Sequence, residues 1–294
     1  MKALLNEKDS SCMKGKVDLI YIDPPFHTQS NYKAKIKLPL GNDTVTIGKF
    51  SYSDIWDEGM VSYLRMIYPR LLLMKELLSD VGSIYVHLDW HTVHYVKLLM
   101  DEVFGSDMFL NEIIWSYKSG GASKKHFARK HDTILLYSKT KDYIFNPQKE
   151  KSYNRGMKPY RFKGVKEYED DLGWYTLVNM KDVWNVDMVG RTSGERIGFD
   201  TQKPEELLKR IILSSTMQNS IVADFFAGSG TTAKVAERHN RQWLLTDLGI
   251  TSYVTTTKRL LSMGSRSFVT ERINEKPLPQ KGKLIIEHIN CSVK

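Results

Sequence analysis

The chain has 294 residues, with 43 lysines and arginines against 34 acids, and a formal net charge of +9. That length allows one large α/β domain with an insertion, or two modest domains, and the basic balance suits a polyanionic partner. No apolar run reaches membrane-spanning length, no secretory pattern opens the chain, and Cys12 and Cys291 suggest neither a disulfide framework nor a zinc site, so the expected location is cytoplasmic.

In chain order, the first element is Val17-Asp18-Leu19-Ile20-Tyr21-Ile22, an apolar, β-branched run that predicts a buried parallel strand. Asp23-Pro24-Pro25-Phe26 ends it, because two prolines cannot continue a ladder. Asp23 and the Pro24 carbonyl can both accept from an exocyclic NH2, and Phe26 can stack on a ring, so the turn suits a flat, amine-bearing ligand. An ordinary strand-ending turn is the plain alternative. Residues 27–58, polar and tyrosine-rich, are expected to form a mobile loop. Val61, Leu64, Ile67, Leu71, Met74 and Leu78 make a helical stripe, with Pro69 expected to kink or break the helix. His87, Asp89, His91 and His94 fit no zinc spacing, so no metal is expected, and Asp89 reads as a cap for the next helix.

From Lys118 to Lys130, glycines accompany a dense basic run, which makes Lys124, Lys125, Arg129 and Lys130 candidate phosphate contacts. A plain surface linker is the alternative. Residues 140–196 break the alternation of strands and helices and read as an insertion. They carry the aromatics Tyr153, Tyr160, Trp174, Tyr175 and Trp184 and the basic tract Lys158, Arg161 and Lys163. Thr201 to Glu206 starts a helix, with Pro204 early and acids in the first turn, and Leu207, Leu208, Ile211 and Ile212 as its buried stripe. Ile221 to Phe226 reads as another buried strand, and Ala227-Gly228-Ser229-Gly230-Thr231-Thr232-Ala233 as a tight turn into a helix. The glycines allow close backbone approach, and the helix start offers unpaired N–H groups. Arg241 to Asp247 forms a third strand ending in an acid able to hold two ribose hydroxyls. Lys283 to Ile286 reads as a short strand, and Ser292 to Lys294 as frayed.

Three cofactor classes could use such a turn. A nucleotide P-loop is disfavoured, since no lysine follows Gly230 and the first glycine of that pattern is absent. Gly228, Gly230 and Ala233 with Asp247 satisfy a dinucleotide fingerprint loosely, but that reading leaves Asp23 to Phe26 without a role. S-adenosylmethionine fits both sites: it is a nucleoside without phosphates, and it carries a methyl group that an amine can accept. Methylation at carbon-5 of cytosine would need a thiolate, normally from a Pro-Cys dipeptide, and neither cysteine follows a proline.

Asp23-Pro24-Pro25-Phe26 and Phe226-Ala227-Gly228-Ser229-Gly230-Thr231-Thr232 resemble motifs IV and I of the amino-methylating DNA methyltransferases. Their order, catalytic motif first, resembles the β (permuted) class. Gly82 to Asp89 is similar to that class's strand after the catalytic motif, His131 to Lys139 to its motif VIII, and Thr201 to Leu208 to its motif X. The resemblance runs from residue 17 to about 260 and is closest in style to modification subunits of type II and type III restriction systems.

This resemblance implies an α/β, doubly wound, mostly parallel Rossmann-like methyltransferase sheet with a target-recognition insertion. Residues 1–139 and 197–294 would form the catalytic and cofactor-binding domain, and 140–196 the recognition insertion. Asp23, Pro24, Pro25 and Phe26 would be catalytic. Asp224, Phe226, Gly228, Gly230, Thr231 and Asp247 would bind S-adenosylmethionine, with Lys203 and Pro204 beside them. Double-stranded DNA is the implied partner, with a homodimer or a restriction-system subunit as further partners common in the family. The target base would have to leave the duplex. Asp at the head of the catalytic turn leans to adenine N6, since cytosine-N4 enzymes more often carry Ser there.

Two departures stand out. No Gly-Asp-Asn segment precedes the catalytic strand, where the family holds the cofactor's adenine; either another residue covers that role or the chain is short at its N-terminus. His27-Thr28-Gln29 replaces the more usual Asn-Thr-Gly. A cytosine-N4 enzyme, an inactive DNA-binding subunit, and an RNA or protein methyltransferase are the alternatives.

Overall fold

In the computed structural model, Leu19 and Tyr21 pack to one side of strand β1 (Val17–Ile22), while Ile20 and Ile22 pack to the other. Successive side chains of a strand point to opposite faces, so an almost unbroken apolar run marks a strand covered on both sides. The structure describes residues 1–6, 12–40, 43–118, 121–265, 268–272 and 287–290, with only the backbone described for 33–52 and beyond 271. The expected strand at Lys283 to Ile286, the frayed end from Ser292, and Cys291 lie outside the described residues.

Strand β1 leads into a hairpin of β2 (Asn31–Leu40) and β3 (Asp43–Ser53), then α1 (Met60–Leu77), β4 (Leu78–Leu88), α2 (Val93–Phe104), β5 (Phe109–Ser116) and β6 (His131–Ser138). The strands β7 (Lys149–Tyr153), β8 (Glu167–Asp170), β9 (Gly173–Asn179) and β10 (Val183–Asn185) follow. The rest alternates: α3 (Glu205–Ser215), β11 (Ile221–Asp224), α4 (Thr231–Arg238), β12 (Gln242–Leu245) and α5 (Ile250–Ser262), then β13 (Val269–Arg272) and β14 (Glu287–Asn290).

The central sheet runs β10-β5-β6-β4-β1-β11-β12. Every pair in it is parallel except the two made by β6, which runs antiparallel to β4 and β5. Leu19 lies opposite Val222, and Ile22 opposite Val86. On one face, Ile67, Leu71 and Met74 of α1 and Val96 and Met100 of α2 bury against Ile20, Ile22, Ile84 and Val86. On the other, Leu208, Ile211 and Ile212 of α3 and Val235 and Ala236 of α4 cover Leu19, Tyr21, Tyr85 and Val222. Each fully buried aliphatic side chain here contributes about 1.5–3 kcal/mol relative to exposure. Two helical layers on a mostly parallel sheet make the doubly wound α/β architecture expected from the sequence.

Four local expectations need correcting. Residues 27–58 are not a loop: most of them form the β2–β3 hairpin, paired from Asn31 opposite Ser53 to Leu40 opposite Asp43. Pro69 does not break α1, which runs through it as one helix. The buried stripe of α1 includes Tyr63 and not Val61, which is exposed. Asp89 makes no side-chain cap on α2; its carboxylate accepts from the backbone N–H of His91 at 2.9 Å instead.

The segment 140–196 contributes two structures. Strands β7-β9-β8 form a separate antiparallel sheet, whereas β10 extends the central sheet beside β5, with Val183 opposite Ile114. Because β1, β4, β11 and β12 are parallel, their carboxyl ends share one edge, where doubly wound folds place ligands. Among the described residues no helix is long and apolar enough to cross a membrane, and no side-chain group is suited to hold a metal.

Candidate active site

Asp23 follows the carboxyl end of β1, mostly buried, and one of its oxygens accepts from the Lys203 ammonium. The other oxygen, Oδ1, is buried and has no partner. Lys203 arrives from the segment ahead of α3: Pro204 is the N-cap in an extended conformation, so Lys203 stands outside the helix and is aimed at the sheet edge. Its Nζ also lies 5.3 Å from the centre of the Phe26 ring, within cation–π range. Phe26 in turn stands 5.8 Å from the His87 ring.

The turn is held by a residue the sequence reading passed over. Asp54 is fully buried just after β3. Its carboxylate accepts from the backbone N–H groups of Phe26 (3.1 Å), His27 (2.8 Å) and Thr28 (2.7 Å), from the Thr28 hydroxyl (2.8 Å) and from Trp56 Nε1 (2.9 Å). These donors force the chain through left-handed backbone at His27 (φ 61°) and Gln29 (φ 56°), a conformation non-glycine residues seldom adopt. Five hydrogen bonds converging on one side chain are what offset that strain.

Behind Phe26 a polar relay crosses the core. Tyr21 Oη lies 2.9 Å from His87 Nδ1, His87 Nε2 lies 3.2 Å from Asp132, and the Tyr117 hydroxyl donates to Asp132 at 3.1 Å. Burial alone would raise the Asp132 carboxyl, but hydrogen bonds from His87 and Tyr117 and the charges of His87 and Lys203 hold it below the usual range. An ionised Asp132 can only accept, so His87 Nε2 donates to it. Burial, with the charges of Asp23, Asp224 and Asp132, pushes the Tyr21 hydroxyl far above the ordinary phenol, which keeps it a donor.

The second turn lies after β11, next to β1. Asp224 is buried; it accepts from Phe226 N–H at 3.0 Å and from the Thr232 hydroxyl at 2.5 Å. Burial, reinforced by the charges of Asp23 and Asp247, pushes its carboxyl up to about 7. Gly228 (φ 50°) donates its N–H to Asp247 at 2.9 Å, and Gly230 (φ 71°) is the left-handed N-cap of α4. A Cβ on Gly230 would come within 2.6 Å of Thr256 Oγ1, whereas one on Gly228 would meet nothing closer than 3.6 Å.

Arg259, buried, donates to Ser229 O (3.0 Å) and to Thr231 Oγ1 (2.8 Å). Glu205 gathers Lys234 (2.5 Å), Arg238 (2.5 Å) and Arg259 (3.1 Å). The Thr231 hydroxyl also donates to the Lys203 carbonyl at 3.3 Å, so Lys203 joins the two turns.

The predicted residues thus separate by position. Asp23, Phe26 and Lys203 converge; Asp224 sits beneath the second turn and holds the Phe226 N–H, while the Thr231 hydroxyl joins Arg259 to the Lys203 carbonyl. Phe226 and Gly228 are half-buried, and Asp247 is exposed beside them. The basic loop leaves the carboxyl end of β5 and enters β6, which places it at the same sheet edge as Asp23. Lys124, Lys125 and Arg129 are exposed, and the Arg129 guanidinium lies 3.7 Å above the Trp90 ring. Lys130 is half-buried, and its carbonyl accepts from Tyr117 N–H at 3.0 Å.

A family model described as DNA methylase, for N6 and N4 methyltransferases, matches residues 17–258. The type II methyltransferase M.EcaI of Enterobacter cloacae is 27% identical over 83% of this chain, which spans 64% of that relative's length. The DNA adenine methyltransferase YhdJ of Escherichia coli K12 is 28% identical, over 78% of this chain and 70% of its own. Two solved structures share the fold. The cytosine-N4-specific PvuII DNA methyltransferase has a TM-score of 0.57 at 16% identity, covering 84% of this chain and 80% of its own. M1.HpyAVI in complex with S-adenosylmethionine has a TM-score of 0.53 at 18% identity, covering 83% and 89%. With that model spanning both turns and the sheet between them, the chain belongs to the family of N6 and N4 DNA methylases.

Proposed function

We propose that the protein transfers a methyl group from S-adenosylmethionine to the N6 amine of an adenine that has left duplex DNA. The observation that carries this is Asp23: one oxygen is occupied by Lys203, and the other is buried without a partner at the sheet edge. A buried acceptor left open costs stability unless a ligand satisfies it. With the Pro24 carbonyl beside it, Asp23 Oδ1 gives an exocyclic amine two acceptors, and Phe26 gives its ring a stacking face.

An aryl amine is a poor nucleophile because its lone pair is delocalised into the ring. Two acceptors engaging its N–H bonds localise that lone pair on the nitrogen and hold it towards the incoming methyl group. Asp54 fixes the turn that presents these groups, and Lys203 keeps Asp23 oriented.

The residues of the second turn fit a nucleoside cofactor without phosphates. The cations Lys234, Arg238 and Arg259 of α4 and α5 are committed to Glu205, so none of the three is open to a phosphate. Phe226, Gly228 and the exposed Asp247 would hold S-adenosylmethionine, with Lys203 and Pro204 alongside. When bound, it supplies the electrophilic methyl group. A solved structural neighbour carries this molecule, which supports the reading.

Asp at the head of the turn and the adenine specificity named for the Escherichia coli relative favour adenine. The likeness to a cytosine-N4-specific fold keeps cytosine as the second reading. The separate β7-β9-β8 sheet, with its exposed Tyr160, Phe162 and Arg161, is the proposed target-recognition element. Methyl transfer from radiolabelled S-adenosylmethionine to unmethylated genomic DNA, followed by nucleoside analysis, tests all of this. Label in N6-methyladenine is expected; label in N4-methylcytosine would select the second reading, and no label in DNA would overturn both.

A further inference from the structure

Phe127 stands at the tip of the basic loop with 99% of its surface exposed. A whole phenyl ring in water forgoes burial that the fold could otherwise use. The tip is a tied turn: Ser123 Oγ accepts from the N–H groups of Lys125 (3.2 Å) and His126 (3.3 Å), and His126 Nδ1 lies 2.9 Å from the Phe127 carbonyl. Its returning leg is anchored where Arg129 stacks on Trp90, two residues beyond the carboxyl end of β4. The ring is therefore presented at the sheet edge that carries Asp23, with Lys124 and Lys125 before it and Arg129 and Lys130 after it.

We propose that Phe127 is an aromatic wedge that enters the base stack of duplex DNA at the place the target base vacates. This rests on the DNA-methylating reading above. Cations on both sides of a single apolar ring match a partner with phosphates outside and stacked bases inside. A protein partner would call for a wider apolar patch, and the residues around Phe127 are polar, cationic or small. Base extrusion leaves an unstacked gap, and an aromatic side chain restores the lost stacking without reading sequence.

The test uses the intact protein and its F127A and F127W variants. Sequencing of methylated genomic DNA first supplies the target site. Two duplexes are then built on it: one fully paired, the other with an abasic nucleotide opposite the target. The F127A variant is expected to lose roughly ten-fold or more in kcat/KM on the paired duplex, to recover most of that on the abasic one, and to keep its affinity for S-adenosylmethionine. F127W is expected to stay near wild type. An F127A loss below about two-fold, or an equal loss on both duplexes, overturns the wedge.

Binding supplies an arm without turnover, on a duplex of arbitrary sequence in which one base is replaced by an abasic nucleotide, the gap the ring would fill: wild type should prefer it to the intact duplex, and F127A should lose that preference. If no DNA is methylated at all, the function reading fails while this binding arm still decides the wedge. A fall in assembly mass on F127A, with methyl transfer unaltered, would overturn the wedge and assign the ring to a contact between copies of the chain.

Discussion

Lys203 holds one carboxylate oxygen of Asp23 and leaves the other without a partner. Because the Lys203 carbonyl accepts from the Thr231 hydroxyl, the same residue ties the proposed amine-binding turn to the proposed cofactor turn. Replacing Lys203 by Met should release Asp23 from its orientation and lower kcat by about a hundred-fold, as small displacements of a reacting group do. The D23A variant should lose methyl transfer yet still bind S-adenosylmethionine. Steady-state kinetics with calorimetric cofactor titration check both. D23A activity above about a tenth of wild type would remove Asp23 from the reaction.

Asp54 stands outside the proposed reacting groups, yet it holds three successive backbone N–H groups of the proposed catalytic turn. D54A should relax the left-handed backbone at His27, depress kcat strongly and lower the melting temperature. Each hydrogen bond to a charged group contributes about 1.5–3 kcal/mol, and the freed N–H groups would be left to water. Cofactor affinity should hold, because the second turn is built from other residues. A variant that loses only stability, with kcat intact, would reduce Asp54 to a structural role.

The contrast between Asp23 and Asp54 shows what a sequence can disclose. Asp23 could be singled out because β1 is an almost unbroken apolar run stopped by prolines, and the chemistry proposed for it sits in four adjacent residues. Asp54 lies in a polar stretch, and its donors are distant along the chain, so no local pattern marks it. The hairpin around it did carry a signal: Tyr32, Ala34, Ile36 and Leu38 alternate with Lys33, Lys35 and Lys37, the period of a strand. The lysines concealed it by suggesting a solvated loop. Lys203 was placed near the cofactor by resemblance, but its pairing with Asp23 is a tertiary fact that sequence spacing does not encode.

Gly228 and Gly230 both have left-handed backbone, but they should fail differently when mutated. G230A adds a clash within 2.6 Å of Thr256 Oγ1 to the backbone strain, so it should destabilise the fold. G228A meets no atom within 3.6 Å, so it should cost only about 1 kcal/mol of backbone strain while placing a methyl group in the proposed cofactor site. Melting temperature and S-adenosylmethionine affinity should therefore separate the two: G230A shifts the first, and G228A mainly the second. Equal effects on both measures would contradict this division.

Asp224 gives the fold a pH dependence of known sign. Its carboxyl is pushed up to about 7 in the folded protein from an ordinary value of 3.8. Between those values the folded state keeps a proton that the unfolded chain has lost, so this group's contribution to stability falls as pH rises through the window. The full cost is present above the folded value, where a charge must be held in the core beside Asp23 and Asp247, and it is absent below the unfolded one. An amide mimics the protonated form: in D224N the oxygen can still accept from Phe226 N–H, and the NH2 can donate to the Thr232 hydroxyl. The melting temperature of D224N relative to wild type should therefore climb from about pH 5 to about pH 8. Titrating groups that do not interact with Asp224 cancel in that difference, and a difference constant with pH would show that Asp224 stays ionised throughout.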